Sequence, residues 1–243
     1  MLKAVFFGSI GTIAETAELE RRACNTALSE AGLGLHLTRA EHHAIGFEAG
    51  RHLAACRLAI LGHRIDQGSV GRIATRMRDT VIKRAAEGLA LRPGVLRLFG
   101  ELHLNGIAPC LVTDASRLEI DTALPAIRGF DPLHFEHVEC EPGRDKPEAE
   151  VYFTALARLG LRPDEVISFE ETADGIEAAT AAAIPVIALP QTAASGPTVR
   201  LARALFDHAG SATMPATRLD GGRGPEDGLV TLRWLVETLA SPA

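Results

Sequence analysis

The stretch VISFEETADGIEAATAAA, residues 166–183, joins two patterns at a run of acidic and small residues. Val166 to Phe169 is a short apolar run that predicts a buried strand, and Gly175 to Ala183 predicts a helix. The polar residues Glu170 to Asp174 lie between the two. In open parallel sheets, ligands bind beyond the carboxyl ends of the strands. We therefore expect a functional site at this strand end.

The same alternation of strand and helix continues on both sides of this stretch. A helix is predicted over Tyr152 to Leu159, and further strands are predicted at Leu2 to Phe7, Ala108 to Thr113, Phe135 to Cys140 and Pro185 to Leu189. Strands that alternate with helices indicate an α/β fold with a doubly wound, Rossmann-like parallel sheet and right-handed crossovers. Towards the end of the chain we expect a helical stretch at Val199 to His208 and a closing amphipathic helix at Leu229 to Leu239.

Residues 14–90 interrupt this alternation. They contain no convincing strand, and glycine-containing breaks separate three predicted helical stretches at Ala17 to Ala31, Arg51 to Leu61 and Val70 to Glu87. This pattern indicates an all-helical insertion after the first strand. We therefore predict two domains, which are an α/β core domain of residues 1–13 and 91–243 and a helical domain of residues 14–90.

Composition and charge limit the classes of function. A chain of 243 residues, 47% of them hydrophobic, buries a large core without disulfides, so we interpret Cys24, Cys56, Cys110 and Cys140 as reduced thiols. The net charge of −6 argues against a nucleic-acid partner. No apolar run approaches the ~18 residues of a membrane span, and no signal peptide is visible. We expect a cytoplasmic protein with a small-molecule or protein partner, and neither a nucleic-acid nor a membrane partner.

Four segments, in chain order, carry a resemblance to a known family. They are Gly8-Ser9-Ile10-Gly11-Thr12, Leu111-Val112-Thr113-Asp114, Lys146-Pro147 ahead of Tyr152-Phe153, and the stretch Phe169 to Ala179. In order and approximate spacing they resemble the haloacid dehalogenase (HAD)-like hydrolase superfamily, in its phosphoglycolate phosphatase and β-phosphoglucomutase-like branch. The resemblance covers roughly residues 2 to 190. It implies the same α/β core, with the helical insertion as a cap domain.

This resemblance implies magnesium-dependent hydrolysis of phosphate esters. Such chemistry needs a carboxylate nucleophile, a carboxylic acid that protonates the leaving oxygen, a magnesium ion and a lysine. The matching positions imply phosphate binding by Thr113, Asp114 and Lys146, and magnesium binding by Glu170 and Glu171.

Gly8 and Ile10 stand where this family carries its two catalytic aspartates. Gly8 has no side chain that could accept a phosphoryl group, and Ile10 can neither donate nor accept a proton. We therefore expect no catalytic residue at these positions and negligible turnover. Ser9, which lies between them, is expected to point to the opposite face of an extended strand. Because Gly8 supplies no carboxylate and Glu171 is one methylene longer than the family's aspartate, we expect weak or absent magnesium binding.

Alternatives remain open for these residues. Glu170 and Glu171 could be a solvated pair at a strand end, Thr113 an ordinary strand-end residue, and Lys146 an ion-pair partner of either glutamate. The arginines of the insertion could hold an anionic metabolite or be solvated; they are Arg51, Arg57, Arg64, Arg72, Arg76, Arg78 and Arg84. Four histidines of the insertion are candidate metal ligands, namely His36, His42, His43 and His52. Their spacing matches no known set of metal ligands, so we interpret them as surface or core residues.

Three functions from different classes follow from these residues. The first, which we favour, is a catalytically silent relative, a pseudoenzyme, that binds a phosphorylated metabolite or a protein partner. The second is an active phosphatase on a small phosphate ester that uses an unusual nucleophile or a metal-activated water. The third is a structural or interaction module with an empty cleft. Measurements of ligand binding and of turnover separate the three.

Overall fold

The computed structural model describes residues 1–49, 66–140 and 146–240. Within them, six parallel strands form one sheet in the order β3-β2-β1-β4-β5-β6. The strands are β1 (Ala4–Phe7), β2 (Ala108–Thr113), β3 (His137–Cys140), β4 (Val166–Glu170), β5 (Val186–Ala188) and β6 (Ala204–Leu205). Ala4 of the central strand β1 is in register with Ala108 of β2 and Val166 of β4. The predicted doubly wound α/β fold is confirmed.

Helices cover both faces of this sheet. The helices of the described residues are α1 (Ala17–Glu30), α2 (Arg39–Ala49), α3 (Gln67–Ala85), α4 (Val95–Leu104), α5 (Arg117–Ala126), α6 (Glu150–Leu159), α7 (Ala173–Ala181) and α8 (Leu232–Ala240). Helices α4, α5 and α8 pack on one face, and α6 and α7 pack on the other. None of these helices is long and apolar enough to cross a membrane.

The residues of β1 explain its central place in the sheet. All four are buried. Val5 and Phe7 face the core below α4, where the ring of Phe7 stacks on Phe99 with 4.7 Å between ring centroids. Ala4 and Phe6 face the core on the other side of the sheet. Because successive strand residues point to opposite faces, a strand covered on both sides needs an apolar side chain at every position.

The helical region between β1 and α4 has a small core of its own. Helices α1 and α3 pack against each other, and this core consists of Ala23, Cys24, Ala27, Leu28, Leu37, Ala49, Ile73 and Met77. Helix α2 was not predicted from the sequence. The predicted helix at Arg51 to Leu61 lies outside the described residues, and the domain limits of residues 14–90 stay a prediction.

The predicted helical stretch at Val199 to His208 is wrong. Thr198–Leu201 form a single turn of 3₁₀ helix, and Ala204–Leu205 form β6. Ala204 is in register with Ile187 of β5, and both residues of β6 are buried. Hydrogen bonding to the sheet edge together with burial outweighed the helical pattern of this segment.

Three cysteines lie among the described residues. Cys24 and Cys110 are buried and Cys140 is partly buried, and all three are free thiols, as predicted. Burial raises the pKa of Cys110 to about 12, so this thiol stays protonated at neutral pH. Cys56 lies outside the described residues.

Candidate active site

The carboxyl ends of the three central strands meet at one place. β1 ends at Phe7 and is followed by Gly8, Ser9 and a 3₁₀ turn over Ile10–Thr12. β2 ends at Thr113, and β4 ends at Glu170. Since β1 pairs with β2 on one side and β4 on the other, these strand ends bring the sequence-predicted residues together.

Lys146 lies at the centre of this arrangement. Its Nζ donates hydrogen bonds to the carbonyl oxygen of Gly8 at 2.9 Å, to the hydroxyl of Tyr152 at 2.9 Å, and to Oε1 and Oε2 of Glu170 at 3.1 and 3.2 Å. Its backbone N–H donates to Asp114 Oδ2 at 3.0 Å. Of the alternatives left open by the sequence, the ion pair with Glu170 is the one present. The ammonium group uses all three of its protons on groups of the protein.

The Glu170 carboxylate fills the space beside Gly8. A Cβ atom on residue 8 would lie well inside 3.0 Å of all three carboxylate atoms, closer than Cβ atoms come to their neighbours in proteins. A Cβ on Gly175 would also collide with Glu170 Oε2. Ser168 Oγ donates to Glu170 Oε1 at 3.2 Å. Two glycines therefore create the room in which the Glu170 carboxylate meets Lys146.

Burial raises the pKa of Glu170 to about 7. Lys146 opposes this rise through its charge and its hydrogen bonds, whereas the nearby carboxylates of Asp114 and Glu171 add to it. Glu170 is only 1% exposed and Lys146 only 6%. The pair is thus shielded from solvent, and its net charge depends on pH near neutrality.

Glu171 points to a different place and contacts Ser9. Ser9 Oγ donates to Glu171 Oε1 at 2.7 Å, and Gln191 Nε2 donates to Glu171 Oε2 at 3.1 Å. Burial raises the pKa of Glu171, and Ser9, Arg92 and Gln191 oppose the rise. Gly11 has no room for a Cβ, because Glu171 Oε2 occupies that position. Ser9 was expected to point to the opposite face of an extended strand from Gly8. Its backbone is extended and its hydroxyl contacts Glu171 rather than the Glu170 that lies beside Gly8, and it lines the cavity described below.

Two residues that the sequence did not single out hold the loop after β1. Gln191 Nε2 donates to the carbonyl oxygens of Gly11 and Ala14, and its Oε1 accepts from the backbone N–H groups of Thr16 and Ala17. The guanidinium of Arg92 is buried and donates to the carbonyl oxygen of Gly11 at 3.0 Å. Neither residue lies in a motif or a periodic pattern that would have revealed this role.

The carboxylates do not fit a magnesium ion in this arrangement. Both oxygens of Glu170 accept hydrogen bonds from Lys146, and those of Glu171 accept from Ser9 and Gln191. Among the described residues, no group of three potential ligand side chains is assembled. Magnesium requires near-ideal octahedral geometry and oxygen ligands. An ion at Glu170 would first have to displace the Lys146 ammonium group.

A cavity of about 270 Å³ lies between the strand ends and helices α1, α2 and α3. The strand ends and the segments that follow them contribute Ser9, Thr113, Asp114, Glu171 and neighbouring residues to its wall, and α3 contributes mainly apolar side chains such as Met77, Val81 and Ile82. Lys146 and Glu170 are nearly fully buried and do not belong to this wall. The predicted phosphate-binding residues are therefore divided between the cavity wall and the layer behind it.

The arginines and histidines of the helical region have different surroundings. Arg76 pairs with Glu30, and Arg72 donates to Ser69, whereas Arg78 lines the cavity. His42 also lines the cavity and is 5% exposed. Burial, and after it the Arg21 guanidinium, lowers the pKa of His42, so its imidazole is neutral at pH 7. Four of the predicted residues lie outside the described part of the chain, namely Arg51, Arg57, Arg64 and His52.

Comparison with known proteins identifies the family. The family model of the haloacid dehalogenase-like hydrolases matches residues 11–189, and the chain belongs to this family. Protein CbbY of Cupriavidus necator is 29% identical over 226 residues, which cover 88% of each chain. Hexitol phosphatase A of Escherichia coli is 33% identical over 104 residues, 42% of this chain and 47% of that protein.

Solved structures agree with this result. The crystal structure of CbbY from Rhodobacter sphaeroides in complex with phosphate superposes with a TM-score of 0.68 at 26% identity, over 86% of this chain and 95% of that chain. A mutant of the same protein in complex with xylulose-(1,5)bisphosphate gives a TM-score of 0.65. β-Phosphoglucomutase from Clostridium difficile, at 15% identity and a TM-score of 0.69, shares the fold.

Proposed function

We propose that this chain is a catalytically silent HAD-like protein whose cavity binds a small phosphorylated metabolite. The observation that carries the proposal is the buried pair of Glu170 and Lys146 beside Gly8. A phosphoryl acceptor must reach the phosphorus atom of a bound ligand. The Glu170 carboxylate is engaged by Lys146 and Ser168 and is 1% exposed, so it lies behind the cavity wall. Gly8 itself offers no side chain.

The cavity and the relatives support the binding half of the proposal. A volume of about 270 Å³ suits a small metabolite. Phosphate and xylulose-(1,5)bisphosphate are the ligands in the two CbbY structures similar to this chain. A sugar phosphate is therefore the ligand class that we propose, and weak or absent magnesium binding and a cytoplasmic location stay predictions.

The test is release of inorganic phosphate in the presence of magnesium. The substrates are xylulose-(1,5)bisphosphate, ribose 5-phosphate, glucose 1-phosphate and phosphoglycolate, and the wild type is compared with the double variant Gly8→Asp, Ile10→Asp and with the triple variant that adds Glu171→Asp. We expect no release by the wild type and release only by variants with both aspartates. The matched control is Gly8→Asn, Ile10→Asn, which has side chains of the same size without carboxylates. Turnover by the wild type would contradict the silent role.

One observation favours a second candidate, an active hydrolase. Ser9 Oγ donates to Glu171 Oε1 at 2.7 Å, and both residues line the cavity. A carboxylate of raised pKa beside a hydroxyl is the arrangement of a general base and a nucleophile. If the wild type releases phosphate, the second candidate predicts that Ser9→Ala and Glu171→Gln each abolish it, whereas Thr172→Ala, next to Glu171 in the cavity wall, retains it.

A further inference from the structure

Helix α2 carries a buried histidine that the structure keeps neutral. His42 is 5% exposed, and its Nε2 is buried and has no hydrogen-bonding partner among the described residues. In a protonated imidazole both ring nitrogens are donors, so Nε2–H would need an acceptor that it lacks here. Burial, and after it the charge of Arg21, lowers the pKa of His42. A proton on His42 is therefore unfavourable as long as α2 stays in place.

The charged groups around His42 do not offset this penalty. Arg21 of α1 repels a second positive charge. Glu18 of α1 favours the charge, but its carboxylate already accepts hydrogen bonds from Arg21 and Arg22. These bonds lower the pKa of Glu18 to about 2, so it stays ionised wherever a histidine titrates. The other ionisable residues beside His42, in the cavity wall close to α1 and α3, and on α7 are His43, Glu20, Arg78, Asp174 and Glu177.

Helix α2 is attached to α7 and to the loop that follows β5. Phe47 is buried in an apolar cluster that α7 shares. The Ala193 N–H donates to the carbonyl oxygen of His43 at 2.9 Å, and a Cβ on Gly46 would lie 2.8 Å from Thr192 Cγ2. The sheet does not depend on these contacts, because its strands pair with one another and α2 forms no part of it. Local openings of this kind need less free energy than global unfolding.

We propose that His42 is a pH-sensitive contact that releases helix α2 from α7 and from the loop after β5 below neutral pH. In the released state the ring lies in water and binds a proton, and the charge then opposes the return of α2. His42 and Gly46 both line the cavity, so release of α2 opens the cavity on this side. Release needs neither ligand nor turnover and is thus independent of the proposed function.

The size of the effect follows from the ordinary pKa of histidine, which is 6.5. In the released state the ring titrates at this value, whereas the docked ring binds a proton only at lower pH. At pH 5.5 about ten released molecules are protonated for each one that is neutral. The ratio of released to docked molecules should therefore rise by about tenfold between pH 7.5 and 5.5. Docking of α2 is strongest above pH 6.5 and weakens as the pH falls.

The test is hydrogen–deuterium exchange of the whole chain at about pH 7.5 and 5.5, with each rate divided by the intrinsic rate at that pH. We expect the amides of α2 and the Ala193 amide to lose about tenfold in protection at the lower pH, while α4 keeps its protection. His42→Phe and His42→Leu should each remove this pH effect. The matched control is His43→Phe, an exposed neighbour on α2, which should retain it.

Three results would overturn the role of His42. The first is equal protection of α2 at the two pH values, and the second is a pH effect that the His42 variants retain. The third is an equal loss of protection in α4, which would mean global unfolding instead of release. Two replacements of different size are compared, so that a variant that folds poorly does not decide the result. Nuclear magnetic resonance titration of the His42 ring should in addition give a pKa below 6.5, and a higher value would also contradict the proposal.

Discussion

Gly8→Ala tests whether the space beside residue 8 is truly occupied by the Glu170 carboxylate. The new Cβ would collide with all three atoms of that carboxylate, and an ordinary contact starts at 3.4 Å, so the carboxylate has to move by more than an ångström. That movement strains the hydrogen bonds from Lys146 at 3.1 Å and from Ser168 at 3.2 Å. Overpacking of a core costs about 1–3 kcal/mol, and complete loss of a buried ion-pair partner costs about 3–5 kcal/mol. Because the ion pair is strained rather than lost, we expect Gly8→Ala to lower the free energy of unfolding by about 2–4 kcal/mol.

The assay is urea denaturation followed by circular dichroism, with Gly100→Ala as the matched control. Gly100 lies on the exposed side of α4, and a Cβ added there would meet no atom within 4 Å, so alanine should be neutral or stabilising by up to about 1 kcal/mol. A double-mutant cycle with Glu170→Ala isolates the clash. In the Glu170→Ala background, Gly8→Ala should cost less than about 1 kcal/mol, since the colliding carboxylate is gone. An equal cost in both backgrounds, or no cost in the wild type, would refute the reasoning.

Three further predictions concern the same region and its surroundings. The pKa of Glu170 is raised to about 7 in the folded state, so folding favours its protonated form. The contribution of Glu170 to stability is therefore largest below the unfolded pKa near 4.5 and should fall by about 3 kcal/mol as pH rises through 7. Glu170→Gln should remove this component of the pH dependence in urea denaturation at several pH values. Gln191→Ala should lower the free energy of unfolding by about 2–4 kcal/mol, because it removes the hydrogen-bond partner of the Ala14 carbonyl oxygen and of the Thr16 and Ala17 N–H groups, and thermal denaturation would measure this loss. Cys110 should resist iodoacetamide at pH 8 until the protein unfolds, as peptide mass spectrometry would show, because burial raises the pKa of its thiol to about 12.

The fold could be predicted from the sequence where the local sequence pattern and the tertiary environment favour the same residue types. The apolar run of β1 is buried on both faces, and a strand of a central parallel sheet requires that composition. Helix α5 was missed although Ser116 and Glu119 form a capping box at its start, a signal that the sequence contains. The prediction of a helix at residues 199–208 was wrong for another reason. Its pairing with β5 is a long-range contact, which no local pattern reveals.

The site was less predictable, because its decisive feature is a relation between residues distant in sequence. From the sequence, Gly8 predicted a missing side chain, while Glu170 and Lys146 were left with several alternatives. The structure adds that the Glu170 carboxylate occupies the space left open by Gly8 and Gly175. The absence of a side chain at Gly8, directly after β1, and the inward position of the Glu170 carboxylate at the end of β4 thus depend on each other. A carboxylate at residue 8 alone would place two acidic groups against one ammonium group. For this reason the recovery of activity in the double variant Gly8→Asp, Ile10→Asp requires Glu170 to move out of its present position, and the stability of that variant reports whether it does.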